Sequence, residues 1–267
     1  MNLLLVILLG IVEGVTEFLP VSSTGHLILA GRLLGLPQAD ATFDIVIQLG
    51  AILAIVVLYW RRFWAVGMGL LAREAGAVRF VRNVLIGFLP SAVVGALAYG
   101  AIRAVLEAPA IAPIVVAVAL IVGGLLILGI ERVARHPWQH SVEAITWRTA
   151  FGIGLIQCIS MIPGMSRSAS TIMGALTLGV DRETAAEYSF FLAIPTMMGA
   201  TTLALWKGRE DLGDAQLLNI AIGFVVSFIV ALVVVRWFLA VVSRHGFAPF
   251  AWYRIVAGTA ALAWLLV

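Results

Sequence analysis

Charge is what this sequence has least of. Only 12% of its 267 residues are Asp, Glu, Lys or Arg, while 62% are hydrophobic and the mean hydropathy is +1.08; a soluble domain carries about 25% charged residues. That deficit excludes a soluble globular protein. Runs such as residues 45–60, 84–101 and 114–130 are apolar all round rather than on one face, as lipid demands. Lysine is almost missing, with one residue against 16 arginines. The formal charge of +3 and pI near 9.5 would suit nucleic acid, but there is no basic stripe with interleaved aromatics. The arginines lie in short segments between apolar runs, which excludes that partner. A single cysteine, Cys158, cannot form an internal disulfide and leaves the redox compartment open. The first apolar run lacks a basic n-region and a small-residue cleavage site before Glu13, so it is expected to stay in the mature protein.

What is present is a set of membrane-length segments. Six runs are long enough to cross a bilayer: residues 43–60, 83–101, 113–130, 188–206, 217–242 and 249–267. Two other stretches are not simple spans. Residues 1–18 lead into Pro20-Val-Ser-Ser-Thr-Gly25 and a short apolar arm, residues 26–36; residues 149–161 lead into Pro163-Gly-Met-Ser-Arg-Ser168 and a second short arm, residues 169–179. Helix, polar break and short helix is the form of a re-entrant hairpin, whose irregular backbone is tolerated at membrane depth only against protein or a wet cavity. The halves of this single membrane domain, about 1–135 and 145–267, also match each other. Asn83-Val-Leu-Ile-Gly-Phe-Leu-Pro-Ser91 aligns with Asn219-Ile-Ala-Ile-Gly-Phe-Val-Val-Ser227 at five of nine positions, Gly10-Ile-Val-Glu13 faces Gly154-Leu-Ile-Gln157, and Ser22 faces Ser166.

Each half is then one hairpin plus three spans, and an odd number of crossings turns the second half over in the membrane. The expected fold is an all-α polytopic membrane protein, six transmembrane helices plus two re-entrant helical hairpins arranged as an inverted repeat. On that topology one side holds Arg61, Arg62, Arg73, Arg79, Arg82, Arg132, Arg135, Arg148, Arg182, Arg236, Arg244 and Arg254, and the other holds Arg32, Arg103, Lys207 and Arg209. The arginine-rich side is expected in the cytoplasm, so the first hairpin opens to the outside. Gly123 and Gly124 are small enough to pack helices closely.

Chemistry concentrates in the two polar breaks. Glu13 and Glu17, four residues apart, project from one helix face. Two neighbouring carboxylates in a membrane repel each other and resist desolvation. A divalent cation, Mg²⁺ or Ca²⁺, would resolve both problems, since these ions bind carboxylates together with phosphate oxygens; helix capping is the alternative role. After Pro20, the run Ser22, Ser23, Thr24 and Gly25 offers hydroxyls and free N–H groups at a helix start, suited to phosphate or to an ordinary N-cap. His26, three residues beyond Ser23, is placed to act as a base on its hydroxyl. In the second break Arg167 is the one basic residue that the topology places away from a membrane surface, at a cost of about 2.5–3.5 kcal/mol. Flanked by Ser166 and Ser168, its guanidinium suits a phosphate or an ion pair with Glu13 or Glu17.

Glu-x3-Glu followed by Pro-Val-Ser-Ser-Thr-Gly-His, and later Pro-Gly-x-Ser-Arg-Ser, resembles the undecaprenyl-diphosphatase family of bacterial envelopes, also known for bacitracin resistance. The likeness extends over essentially the whole chain. It implies removal of the terminal phosphate from undecaprenyl diphosphate at the outer face of the inner membrane, which regenerates the lipid carrier for cell-wall synthesis. It further implies a divalent-metal role for Glu13 and Glu17, a catalytic role for Ser23 and His26, phosphate binding by Arg167 and a homodimer. Ser22, Thr24, Gly25, Ser166, Ser168 and Thr171 are expected around the substrate. One departure is visible, Ala169-Ser170-Thr171 in place of Gly-Ala-Thr, which would stiffen the second loop.

The expected reaction places the diphosphate between the hairpin tips. Either Ser23 attacks the terminal phosphorus with His26 as base, or His26 orients a water. A lipid transporter or flippase using the same headgroup site is the alternative from another class, because inverted repeats with broken helices are typical of transporters. A serine intramembrane protease could use Ser23 and His26 but needs neither paired glutamates nor Arg167.

Overall fold

The computed structural model describes residues 2–35, 41–106, 108–134, 136–208 and 214–267. Among them every regular element is helical, apart from one isolated parallel bridge between Gln139 and Val180. Eleven α-helices follow in chain order: α1 Leu3–Thr16, α2 Ser23–Leu33, α3 Ala41–Leu58, α4 Trp60–Leu71, α5 Ala75–Leu106, α6 Ala112–Val133, α7 Trp147–Gln157, α8 Arg167–Thr177, α9 Arg182–Gly208, α10 Asp214–His245 and α11 Ala248–Leu266.

Four of these are long and apolar enough to cross a membrane, namely α5, α6, Leu217–His245 within α10, and α11. The chain is a multi-pass membrane protein. The expected span at residues 43–60 reaches that test only as a pair, α3 with α4, bent by 73°. The expected span at residues 188–206 lies in α9, which does not meet the test among the described residues; this helix carries Pro195 and runs through the interior, burying Tyr188, Phe190, Phe191 and Leu192. Interior helices need not be apolar all round.

Each of the two stretches expected as hairpins forms a pair of packed helices with an irregular tip. In each, the second arm starts earlier than the apolar pattern indicates, because a serine at the tip caps it. Ser22 Oγ accepts the Gly25 N–H at 3.3 Å and Ser166 Oγ accepts the Ala169 N–H at 3.2 Å. Both serines have positive φ, 72° and 75°, a conformation that costs a non-glycine residue about 1–3 kcal/mol. The second arm therefore begins at Arg167, and the unexpected Ala169 and Ser170 lie inside α8. There they stiffen nothing: helix is their ordinary conformation, and Ser170 Oγ donates to the Ser166 carbonyl at 2.8 Å. Leu36, at the end of the first expected arm, lies outside the described residues, as do Arg135 and Arg209 of the charge count.

Each hairpin packs its first arm on a long helix of the other half, α1 on α10 and α7 on α5. A Cβ added at Gly10 would lie 2.9 Å from the Gly223 carbonyl oxygen, and one added at Gly154 would lie 2.2 Å from that of Gly87. The backbones touch at corresponding places in both pairs. Gly123 and Gly124 are used within the chain, against Arg254 and Ala251 of α11. Below the first tip, Phe18 meets Phe190 edge-on at 5.3 Å, in a cluster that includes buried Phe191, Phe238 and Phe247.

Candidate active site

The tips of both hairpins meet in the wall of a cavity of about 540 Å³. Glu13, in the last turn of α1, is fully buried. Glu17 follows the helix in helical geometry, its N–H bonded to the Glu13 carbonyl at 2.9 Å, so the two side chains sit one turn apart as expected. Glu17 is the hub. One carboxylate oxygen accepts the Ser23 hydroxyl, and the other accepts Arg167 Nη2 at 3.2 Å. Arg167 also donates Nη1 to the Ser189 carbonyl at 3.0 Å and lies over the Phe18 ring at 5.9 Å. Hydroxyl, carboxylate and guanidinium thus form a chain from one hairpin to the other.

Further bonds fix the tips against each other. Ser168 Oγ donates to the Leu19 carbonyl at 2.7 Å and lies 2.9 Å from Ser166 Oγ. Thr171 Oγ1 and Ser189 Oγ are hydrogen-bonded at 2.6 Å. Gly164 has φ +93°, and a Cβ there would lie 2.7 Å from the Val116 carbonyl oxygen, so only glycine lets the second tip rest on α6. Of the expected substrate-contacting residues, Ser22, Thr24, Ser166 and Arg167 line the cavity with Ser23 and Glu17. Ser168 and Thr171 support the tip from behind.

His26 differs from expectation. Its Nδ1 lies 2.8 Å from the Ser22 carbonyl oxygen and its Nε2 lies 2.8 Å from the Tyr253 hydroxyl, with the two rings stacked at 5.6 Å. A ring nitrogen facing a carbonyl must donate, so the other accepts from Tyr253. Both nitrogens are engaged and neither faces Ser23. The Ser23 hydroxyl donates instead to the Glu17 carboxylate.

A second correction concerns charge. Arg254, counted with the cytoplasmic arginines, has no exposed surface and lies in α11, inside the span that the sequence indicates at residues 249–267. The signal was available as an arginine within an apolar run. The sequence pattern gives no sign of Tyr253 or of the contact in which Gln157 Nε2 donates to Ser91 Oγ at 2.6 Å on the cavity wall.

The two carboxylates fit a cation. Neither oxygen of Glu13 has a hydrogen-bond partner among the described residues. An unpartnered buried carboxylate is costly. Among the described residues no three acidic, His or Cys side chains cluster at ligand spacing. Two carboxylates completed by substrate and water oxygens is a common Mg²⁺ arrangement.

Residues 6–260 match the family described as bacitracin resistance protein BacA. The chain belongs to that family. Among similar proteins, an undecaprenyl-diphosphatase of Rhizorhabdus wittichii is 72% identical over 266 residues, covering 100% of this chain and 98% of its own. One from Sphingopyxis alaskensis is 61% identical over 265 residues, covering 99% and 98%. One from Novosphingobium aromaticivorans is 56% identical over 264 residues, covering 97% and 96%. The stretches that carry the resemblance, Glu-x3-Glu and Pro-Gly-x-Ser-Arg-Ser, hold the two carboxylates of the site and Gly164, Ser166 and Arg167.

Proposed function

We infer that this chain is an undecaprenyl-diphosphate phosphatase, hydrolysing undecaprenyl diphosphate to undecaprenyl phosphate and inorganic phosphate. Full-length relatives at 56% identity and above bear that name. The observation that carries the reading to this chain's own residues is the Ser23–Glu17–Arg167 chain in the wall of a mostly apolar cavity. Such a cavity suits a diphosphate on a hydrocarbon tail. The carrier alternative gains nothing from these three relatives, each named as a phosphatase.

Ser23 attacks the terminal phosphorus while its proton passes to Glu17. The bond to the bridging oxygen breaks, and undecaprenyl phosphate leaves. Water then cleaves the phosphoserine and releases inorganic phosphate. Arg167 changes partner, from Glu17 to the terminal phosphoryl group, so that its charge is used where negative charge develops. Glu13 and Glu17 would hold a divalent cation, which supplies charge neutralisation to the diphosphate. His26 holds the first tip through Ser22 and Tyr253.

The tail follows a stripe on α5. Phe88, Ala92, Ala96, Tyr99, Ile102 and Leu106 all line the cavity at spacings of three and four residues, which puts them on one face. Gly199 and Ala200 of α9 stand opposite. On the expected topology the far end of this stripe is at the outer surface, so lipid enters from the outer leaflet of the bacterial inner membrane. Eleven arginines against four basic residues still favour that orientation once Arg254 is removed from the count. The matching serine caps and glycine contacts of the two hairpins support six spans and two re-entrant hairpins in an inverted repeat.

The test is phosphate release from undecaprenyl diphosphate by purified protein in detergent, with no membrane gradient. Stoichiometric release of phosphate and lipid monophosphate is expected; binding of the lipid without turnover would favour a carrier.

A further inference from the structure

A fully buried arginine without a carboxylate partner is expensive in a membrane protein and calls for a function. No ion pair to Arg254 occurs among the described residues. Instead its five N–H donors meet five backbone carbonyls. Nε donates to Leu120 at 3.3 Å and one hydrogen of Nη2 to Ala119 at 3.0 Å, both on α6. Nη2 also donates to Gly164 at 3.0 Å, and Nη1 to Met165 at 3.0 Å, both in the second tip. Nη1 donates again to Pro20 at 3.0 Å, in the first tip. One nitrogen therefore joins the two hairpins. Pro20 stands three residues before Ser23, and Met165 two before Arg167. The adjacent residue of α11, Tyr253, holds His26 of the first hairpin at 2.8 Å.

We propose that Arg254 is the positioning residue of the composite site, a clamp that sets the register of the Ser23 tip against the Arg167 tip. It does not line the cavity; it acts through the carbonyls of Pro20, Gly164 and Met165. Lysine keeps the charge but offers three donors from one point, so it cannot span both tips and α6. Gly123 permits the clamp, since a Cβ there would lie 2.0 Å from Arg254 Nη2.

The experiment compares wild type, Arg254→Lys and Gly123→Ala in detergent by two readouts. Hydrogen exchange reports the tips whether or not the protein turns over. Peptides of both tips are expected to exchange at least about tenfold faster in Arg254→Lys, with α10 unchanged. The kinetic readout rests on the phosphatase reading. There kcat falls at least about 30-fold while KM moves less than about threefold, and in an Arg167→Lys background the same substitution costs less than about threefold, because the register it sets no longer matters. Gly123→Ala, which displaces the guanidinium and keeps its charge, gives the same pattern and decides the matter if Arg254→Lys does not fold. Unchanged exchange at either tip, or a kinetic loss that adds fully to that of Arg167→Lys, overturns the clamp. If wild type released no phosphate, the functional reading would fail and the exchange result alone would decide the clamp.

Discussion

Ser23, Glu17 and Arg167 stand in a line of hydrogen bonds, and single substitutions along it have separable effects. Ser23→Ala removes the attacking oxygen, and Glu17→Gln removes the acceptor of its proton; each is expected to lower kcat by about 10²–10⁴-fold, measured as phosphate release per folded protein. His26→Phe keeps the stack on Tyr253 while losing both hydrogen bonds, and is expected to cost about tenfold or less. A loss equal to that of Glu17→Gln would return the base to His26. Much of this site is legible in the sequence. Glutamates, serines and an arginine stand out in an apolar chain because lipid admits them only for a reason, and helical spacing puts Glu13 and Glu17 together. What is not legible depends on contacts across the chain. His26 meets a tyrosine 227 positions away, so its neighbour Ser23 is no guide to its partner. Arg254 hides because its counter-groups are backbone carbonyls, which every residue carries.

At the scale of the element, the hairpins are readable because a polar break interrupts an apolar run. Their arms are less so, since a serine with positive φ starts α2 and α8 ahead of the apolar pattern. Nor does composition reveal the 73° bend between α3 and α4. The contact of α7 with α5 admits no side chain, so Gly154→Ala is expected to destabilise the protein by about 1–3 kcal/mol, seen as a lower melting temperature in detergent. A melting temperature equal to wild type would contradict that packing. Gly95 on α5 tests the tail groove: a Cβ there meets only Met161 Cε, at 3.5 Å, so a larger side chain projects into the cavity. Gly95→Phe is expected to raise KM for undecaprenyl diphosphate at least about tenfold and to change it little for a short isoprenoid diphosphate. Equal effects on both substrates would remove the tail from that groove.

In the whole molecule, two similar hairpins contribute unlike residues. The first brings carboxylates and a hydroxyl; the second has Gln157 where the first has Glu13, and brings Arg167. Activity should vanish with chelator and return with Mg²⁺, and Glu13→Gln should raise the metal concentration required by about 10–100-fold; activity indifferent to chelator would remove the metal from Glu13 and Glu17. The central claim is that hydrolysis takes place at one site completed by both hairpins, and Arg167 is the residue by which the second hairpin completes it. Phosphate release from undecaprenyl diphosphate by purified, folded Arg167→Ala is the direct measurement. Turnover reduced by about 10³-fold or more against wild type is the expected result, and release near the wild-type rate would contradict a composite site.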